Sequence, residues 1–488
     1  MKYKIVLWVL IIAYILYFSL FTILRMKTLY SSYFDLGIMH QTVFNTYRAI
    51  THLDFSRVLE LTSPMRADQI KRIAIHNDII LAPLALFYFI YASPVTLLVI
   101  QAAVVGLGAW FIFKIAQYVF EANKYQDLFS LLFSLSYLLY PPLERANIFD
   151  FHAVTLATTL LLAMFYFWLR KSYGLSFLFL LLTLLTKEEI GLTTAFFGGF
   201  VIFTLIRQNT ARGKKEWIYA ISVIVTSILW FIFSFYFIIP YFRGGERHFA
   251  LSYYEYFGGS VGKILLGVIS NPLYLAQHLF NGSTWNYFLS LLGPVGFLSL
   301  LSPLHFIIAA PEVGINLLSS NPSLRSIYFH YSSVITPFIF ISAIYGARGA
   351  LRLLSRLSPR FIAFYLTFFI LLFAYLEGPL PLARNHEIHP FKYPQKESAL
   401  VDVWSDKLKD ENLKISTVGQ LSPFFTGRRY FYVFSQNYPL ADYLVIRPNE
   451  IYNYPERESL IPAYKKLQTD SRFKMIYKSE NFEVYKKL

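Results

Sequence analysis

The chain has 488 residues, of which 56% are hydrophobic, 19% aromatic and only 15% charged. Soluble proteins carry about 25% charged residues, and several apolar runs here approach or pass the roughly 20 residues that cross a bilayer. The sequence therefore reads as a polytopic α-helical membrane protein. Much of the formal charge of +15 lies between apolar runs, where it reports topology rather than nucleic-acid binding, and the lack of cysteine excludes disulfides and thiolate metal sites.

In chain order, a basic start precedes about 20 apolar residues, too many for a signal-peptide core and without a small-residue cleavage site. This is a retained first span whose start, with Lys2 and Lys4, lies in the cytoplasm. A long first external loop, 25–94, follows, and it contains "YFDLGIMHQ" at Tyr33–Gln41. Its last apolar stretch, Asp78–Tyr91, is short for a span and reads as a re-entrant or interfacial helix. With that segment not crossing, the basic turns around Lys114, Lys124, 169–174, 207–216 and 347–360 (Arg348, Arg352, Arg356, Arg360) all fall inside, as the positive-inside rule requires. About eleven transmembrane helices result, at 5–24, 95–120, 127–142, 153–169, 174–186, 190–206, 217–239, 285–301, 304–319, 331–347 and 361–377. Residues 1–380 form this transmembrane domain, 381–396 are a proline-rich linker, and 397–488 are a small soluble α/β domain placed outside. In that domain "KISTVG", "RRYFYVF" and "ADYLVI" read as strands, "SLIPAYKKLQ" as a helix, and the last residues as a hairpin around Ser479-Glu480-Asn481.

The same topology sends the acids and histidines to the outer face: Asp35 with His40, His76 with Asp78, Asp150 with His152, Lys187-Glu188-Glu189, then Arg243, Glu246, Arg247 and His248, and His330-Tyr331. Ionisable groups at membrane depth are costly and mark function, so one pocket at the mouth of the bundle is the simplest account. Each group also has a plain structural reading. Asp35 is a favourable N-cap for a helix starting at Leu36. Asp150 and His152 share no helix face, but on an extended loop they can act together, and the metal candidates are His40, His76, Asp150 and His152. Lys187 can neutralise a lipid phosphate while Glu188 or Glu189 positions a sugar or metal, or the three can be a solvated turn. Glu312 and Asn316, one helical turn apart, read as a hydrogen-bonded packing pair. Nucleotide-binding, calcium-loop and nucleophile-elbow motifs are absent.

"SSYFDLGIMHQTVFNT", "HNDIILAPLALFYFIYASPVTLLVIQAAVVGLGAW", "FDFHAV", "LTKEEIGL" and "LLSPLHFIIAAPEVGINLLSS…YFHYSSVITPF", in that order, resemble the membrane-protein family of domain of unknown function 2079. The residue before Gln41 is usually acidic in that family, and here it is His40. The family in turn is similar to the C-type (GT-C) superfamily of glycosyltransferases. That resemblance implies a GT-C-like fold in the cell membrane, an essential acid in the first external loop, and a polyprenyl-phosphate-linked sugar as donor. It makes Asp35 the catalytic base of an inverting transfer to an extracytoplasmic glycan, lipid or protein. Gln41, His76, Asp150, His152, Lys187, Glu188, Glu189, Arg243, His330 and Tyr331 are then substrate-binding candidates, with Lys187, Arg243 or a divalent metal facing the phosphate. The alternatives are a transporter or lipid or sugar scramblase of the envelope, or a non-catalytic envelope-assembly protein.

Overall fold

The computed structural model describes residues 2–207, 213–353, 358–392 and 395–488. Arg356, half of the basic turn at 207–216 and two positions of the expected linker lie outside the described residues. The first helix, α1 (Lys2–Lys27), buries Leu7, Ile11, Tyr14, Phe18 and Phe21 along one stripe. It exposes Ile5, Val9, Ile12, Leu16 and Leu20 on the other side. A helix apolar on every face is one whose outer side meets lipid. Next come α2 (Ile38–His52), α3 (Leu81–Leu84), α4 (Pro94–Val119), α5 (Gln126–Leu138), α6 (Pro141–Ile148), α7 (Ala157–Leu169) and α8 (Tyr173–Leu184). They are followed by α9 (Ile190–Arg207), α10 (Lys214–Ile232, running on through a π-turn to Phe242) and three shorter helices: α11 (Val261–Ser270), α12 (Pro272–Leu279) and α13 (Gly282–Leu292). The last of the bundle are α14 (Ala310–Leu318), α15 (Thr336–Leu353) and α16 (Pro359–Glu377).

Among the described residues, five helices are long and apolar enough to cross a membrane by themselves: α1, α4, α9, α10 with its extension, and α16. Several other expected spans are interrupted, and proline is the local cause. The span expected at 127–142 ends as α5 at Leu138, before Pro141-Pro142. The one expected at 285–301 stops at Leu292, and Gly293-Pro294 opens a 3-10 turn. The one at 304–319 is a helix–3-10–helix sequence that restarts near Pro311. Proline lacks the amide N–H that a continuing helix needs. The segment after Asp78 is short, Leu81–Phe89, and Leu86, Phe87, Phe89, Ile90 and Tyr91 remain exposed around its end. At about 1.5 Å per residue it is too short to span the bilayer core.

Charge divides between the two ends of the bundle. Lys114 near the end of α4 is within electrostatic reach of Lys4, near the start of α1, and of Arg170, and Arg348 comes near Arg352 and Glu121. At the other end of the same two helices, Arg25 reaches Asp150 and Gln101 binds the backbone of Asp150 and His152.

The first loop also carries a two-stranded sheet, β1 (Glu60–Thr62) and β2 (Gln69–Lys71), paired antiparallel. The expected C-terminal strands form β3 (Ile415–Thr417), β4 (Phe431–Val433), β5 (Tyr443–Ile446), β6 (Phe473–Ser479) and β7 (Phe482–Lys487), in the order β4-β3-β5-β7-β6. β3 is parallel to β4 and β5, while β5, β7 and β6 pair antiparallel. This sheet does not close its core alone. Leu29, Tyr33, Ile38 and Leu61 of the first loop belong to the same hydrophobic cluster as Phe425, Phe431 and Val445.

Polar bonds pin that seam. The fully buried Gln41 side chain donates to Thr62 Oγ1 (3.2 Å) and to the carbonyls of Arg428 (3.4 Å) and Arg429 (3.0 Å). Its Oε1 accepts from Tyr33 Oη and from the Thr62 N–H. Arg429 grips Glu60 with two hydrogen bonds, 3.0 and 3.2 Å. Gln41 is thus a structural clamp between the first loop and the C-terminal sheet, and it is not among the residues that line the cavity holding Asp35, where its expected substrate-binding role would place it. Substituting Gln41→Ala leaves buried carbonyls and the Thr62 N–H short of a partner, at about 1–3 kcal/mol. The expected outcome is a lower unfolding temperature of the full chain and earlier proteolysis within 397–488, measured by thermal melting and limited trypsinolysis.

Candidate functional site

The segment carrying Asp35 leaves α1 and tightens into a π-turn, Tyr33–Gly37, that runs straight into α2. Gly37 is required here, since a Cβ would sit 2.9 Å from the Tyr33 ring and 3.4 Å from the Ser422 side chain. Asp35 therefore lies inside the first turn and is not the N-cap expected from the sequence. Ser32 occupies that position and makes no side-chain cap bond. The Asp35 carboxylate instead accepts from Ser32 Oγ (3.0 Å) and from His152 Nε2 (3.2 Å).

The loop after α6 supplies His152 and fixes the Asp35 segment from behind. Asp150 adopts a left-handed backbone, φ 116°, so its side chain and that of His152 serve different partners. Asp150 Oδ1 accepts from Arg25 (2.8 Å) and Ser31 Oγ (2.6 Å), and Oδ2 from the Ser32 N–H (3.3 Å). It is buried and occupied, which corrects its expected roles in substrate and metal binding. Burial pushes the Asp150 carboxyl up to about 6, with Arg25 pulling the other way. His152 stacks on His330 at 3.8 Å between ring centroids.

Asp35 and His152 open onto a cavity of about 700 Å³. Of the other expected site residues, His76, Lys187, Glu188, Glu189, His330 and Tyr331 line it. Arg243 does not; it donates to the Ala74 carbonyl (3.1 Å) and to Glu246 (3.3 Å). His40 is buried against the Tyr88 hydroxyl at 2.7 Å, away from any carboxylate cluster, so its expected metal role is corrected as well. The lining also includes the apolar side chains of Leu192, Phe196, Phe231, Phe235, Ile264 and Leu265.

Arg72 and Glu312 line the cavity without having been read into it, and His248, grouped with the outer-face histidines, was not among the substrate-binding candidates. Arg72 lines the cavity and forms a buried ion pair with Asp78 through bonds of 2.8–3.1 Å. Glu312 reaches the cavity with one oxygen lacking any partner. Its expected bond to Asn316 is not formed, because the Asn316 amide donates to Tyr287 Oη and to the Tyr331 carbonyl. His248 meets Glu188 across 60 positions of sequence, at 2.9 Å. The helical spacing of Glu312 is the one signal available beforehand; the partners of Arg72 and His248 depend on loops folding together.

Glu188 sits on the turn between α8 and α9, which is tied to the first loop by the Ile80 N–H to Leu185 carbonyl bond. Its side chain is 2% exposed and receives three donors: His76 Nδ1 (2.8 Å), His248 Nε2 (2.9 Å) and the Asn77 N–H (2.9 Å). Burial alone raises a carboxyl, but here the two histidines outweigh it and hold Glu188 well below the ordinary range. Burial lowers His76 and, more strongly, His330. Burial likewise opposes the ionised form of Asp35, and the bonds from His152 and Ser32 overcome it, so that acid is held below its ordinary value.

His76, Glu188 and His248 bring one donor atom each within 4.8 Å of one another, close enough to hold a metal ion. The tautomer of His248 does not fit that role. Its Nδ1 accepts the Ala250 N–H at 3.1 Å, so the ring proton sits on Nε2, the nitrogen aimed at Glu188. A metal at Nε2 needs that lone pair and places a proton on Nδ1, directly opposing the Ala250 N–H. The trio is a hydrogen-bonded network and not a preformed metal centre.

Arg25 supports the Asp35 segment through its ion pair with Asp150. Replacing it by methionine strands the buried Asp150, at about 3–5 kcal/mol for a broken buried pair. The double change Arg25→Met with Asp150→Asn is expected to recover most of that loss, as read from thermal unfolding of the four proteins in a double-mutant cycle.

Residues 25–484 match the family described as "Predicted membrane protein (DUF2079)". No curated protein matches the chain in sequence. Among solved structures, the apo crystal structure of ArnT from Cupriavidus metallidurans is 11% identical, with 92% of this chain and 93% of that chain covered at a TM-score of 0.44. The family match spans nearly the whole sequence and takes in the first loop, the helical bundle and the C-terminal sheet: this chain belongs to the DUF2079 family of membrane proteins.

Proposed function

We propose that the protein is a GT-C-like membrane glycosyltransferase that moves a sugar from a polyprenyl-phosphate-linked donor to an extracytoplasmic acceptor, with about eleven spans, the N-terminus in the cytoplasm and the C-terminal sheet outside. The observation that carries this reading is the composition of the cavity. Its lining combines Asp35, His76, His152 and the Lys187–Glu189 turn with apolar side chains such as Leu192, Phe196, Phe231 and Leu265. Such a cavity suits a ligand with a polar, charged head on a hydrocarbon tail. A transporter would place its polar groups near the middle of the membrane, whereas the acids and histidines here gather at one end of the bundle.

Asp35 is the carboxylate best placed to reach a substrate. Its side chain is 24% exposed, against 14% for Glu189, 3% for Asp78 and 2% for Glu188. Ionised, and oriented by Ser32 and His152, it takes the proton of an acceptor hydroxyl. That oxygen attacks the anomeric carbon from the face opposite the lipid phosphate. The new C–O bond forms as the bond to the phosphate oxygen breaks, the electron pair leaves with the phosphate, and the anomeric centre inverts. His152 Nε2–H donates to Asp35 Oδ1, while Oδ2 accepts one bond from Ser32 Oγ and keeps its second lone pair for the acceptor hydroxyl.

Asp35→Asn removes the base while keeping the shape of the side chain. Transfer from polyprenyl-phosphate sugars to envelope acceptors is expected to fall about 10²–10⁴-fold, measured by product formation with purified protein. Undiminished transfer in Asp35→Asn excludes this acid as the base. No transfer by the wild type, together with lipid or sugar flux in liposomes, replaces the reading with transport.

A further inference from the structure

The charges in the cavity leave a problem for a phosphate. Among the described lining residues, Arg72 and Lys187 are the two fixed cations, facing five carboxylates: Asp35, Asp78, Glu188, Glu189 and Glu312. Neither cation is free. Arg72 is spent on Asp78 and Lys187 on Glu189. Arg243 is turned toward Ala74 and Glu246. An anionic head group entering this cavity meets a surplus of negative charge, unless some neutral group there can accept a proton.

His76 is built to be that group. Its Nδ1 lies 2.8 Å from Glu188 Oε1. That oxygen is an acceptor only, since it also receives the Nε2–H of His248, whose tautomer the Ala250 N–H dictates. The proton of neutral His76 is therefore on Nδ1, and its Nε2 carries the lone pair. The side chain is 22% exposed while that of Glu188 is 2% exposed, so the accessible part of the ring is the part turned from the carboxylate, toward the cavity that it lines. The arrangement is a carboxylate–imidazole dyad, in which the anion orients the ring and stabilises it once charged. We propose that the His76–Glu188 dyad binds the phosphate of a lipid-linked phosphate, taking up one proton at Nε2 and donating it as a hydrogen bond to a phosphate oxygen.

The proposal rests on the phosphate-bearing lipid donor inferred above and assigns a residue to its leaving group. Charge grows on that phosphate as the sugar departs, and a charged imidazole in a water-poor cavity is worth most where charge develops. The groups facing His76 agree with proton uptake on binding rather than before it. Glu188 favours the charged ring; Lys187 from the same turn and Arg72 from the preceding loop oppose it. His248 accepts the Ala250 N–H at Nδ1 and turns Nε2 to Glu188. Burial disfavours the charged form of the His76 ring, and an arriving phosphate anion acts against that.

The test is calorimetric titration of the purified full-length protein in nanodiscs with a polyprenyl monophosphate, in two buffers of different ionisation enthalpy. The difference gives the number of protons taken up. About one proton is expected for the wild type and for Asp35→Asn, and none for His76→Gln, with binding at least about tenfold weaker in the latter. Inorganic phosphate is expected to bind far more weakly than the lipid, because the apolar lining recognises the chain. Lipid binding without proton uptake by the wild type overturns the proposal even if His76→Gln fails to fold. Unchanged uptake in His76→Gln, equal binding of inorganic phosphate, or stoichiometric Zn²⁺ that this substitution removes overturns it too. Sugar transfer by a wild type that binds without uptake sinks the dyad and leaves the transferase standing; uptake with no transfer does the reverse.

Discussion

A carboxylate buried in a membrane protein stays charged only if donors surround it, and Glu188 organises the functional end of this molecule through that requirement. Its three donors come from two separate segments, 76–77 and 248, and the carboxylate itself comes from the turn between α8 and α9. Satisfying one charge therefore draws the first loop, a helix–helix turn and the stretch after α10 together. The cavity is the space left between them. Arg72–Asp78 and Lys187–Glu189 line the same cavity, each neutral as a pair, so they make its lining polar without offering a free cation.

The Asp35 segment is held from two directions by different kinds of force. On the bundle side, Arg25, Ser31 and the Ser32 N–H converge on Asp150, and His152 reaches Asp35 itself. On the other side, Tyr33 packs against Phe431 at 5.1 Å between ring centroids, and Gln41 and Glu60 bond to the strand region at Arg428–Arg429. The C-terminal sheet thus completes the core under the π-turn and is part of what positions the acid. A substituent that alters this seam reaches Asp35 through packing, without touching the cavity.

How much of this was legible beforehand varies with the range of the interaction. The long apolar helices α1, α4, α9 and α16 follow from runs of about 20 apolar residues, and the C-terminal hairpin follows from alternation around Ser479–Asn481. Prolines 141, 294 and 311 were visible too, yet only the structure shows that they break expected spans into shorter pieces. The gathering of acids and histidines at one end was also legible, because it depends only on counting crossings. The individual roles were not. Gln41, Asp150 and His40 stand near the site in sequence, but each is consumed by partners from other segments: the strand at 428–431, Arg25, and Tyr88. Glu312 looked like half of a packing pair until Tyr287 and the Tyr331 carbonyl took Asn316 away from it.

By itself, then, the sequence determined that this is a helical membrane protein with a charged first loop and a C-terminal sheet, because apolar run length and strand alternation are local properties of the chain. Only the tertiary structure decided which polar groups are free. Hydrogen-bond partners tens to hundreds of residues apart cannot be read from spacing, and a buried donor or acceptor has a function left to perform only when no such partner has claimed it. His76 Nε2 is left available in that way, and Asp35 Oδ2 keeps a lone pair beside its single bond from Ser32, while Gln41, Asp150 and Arg72 are consumed by their partners.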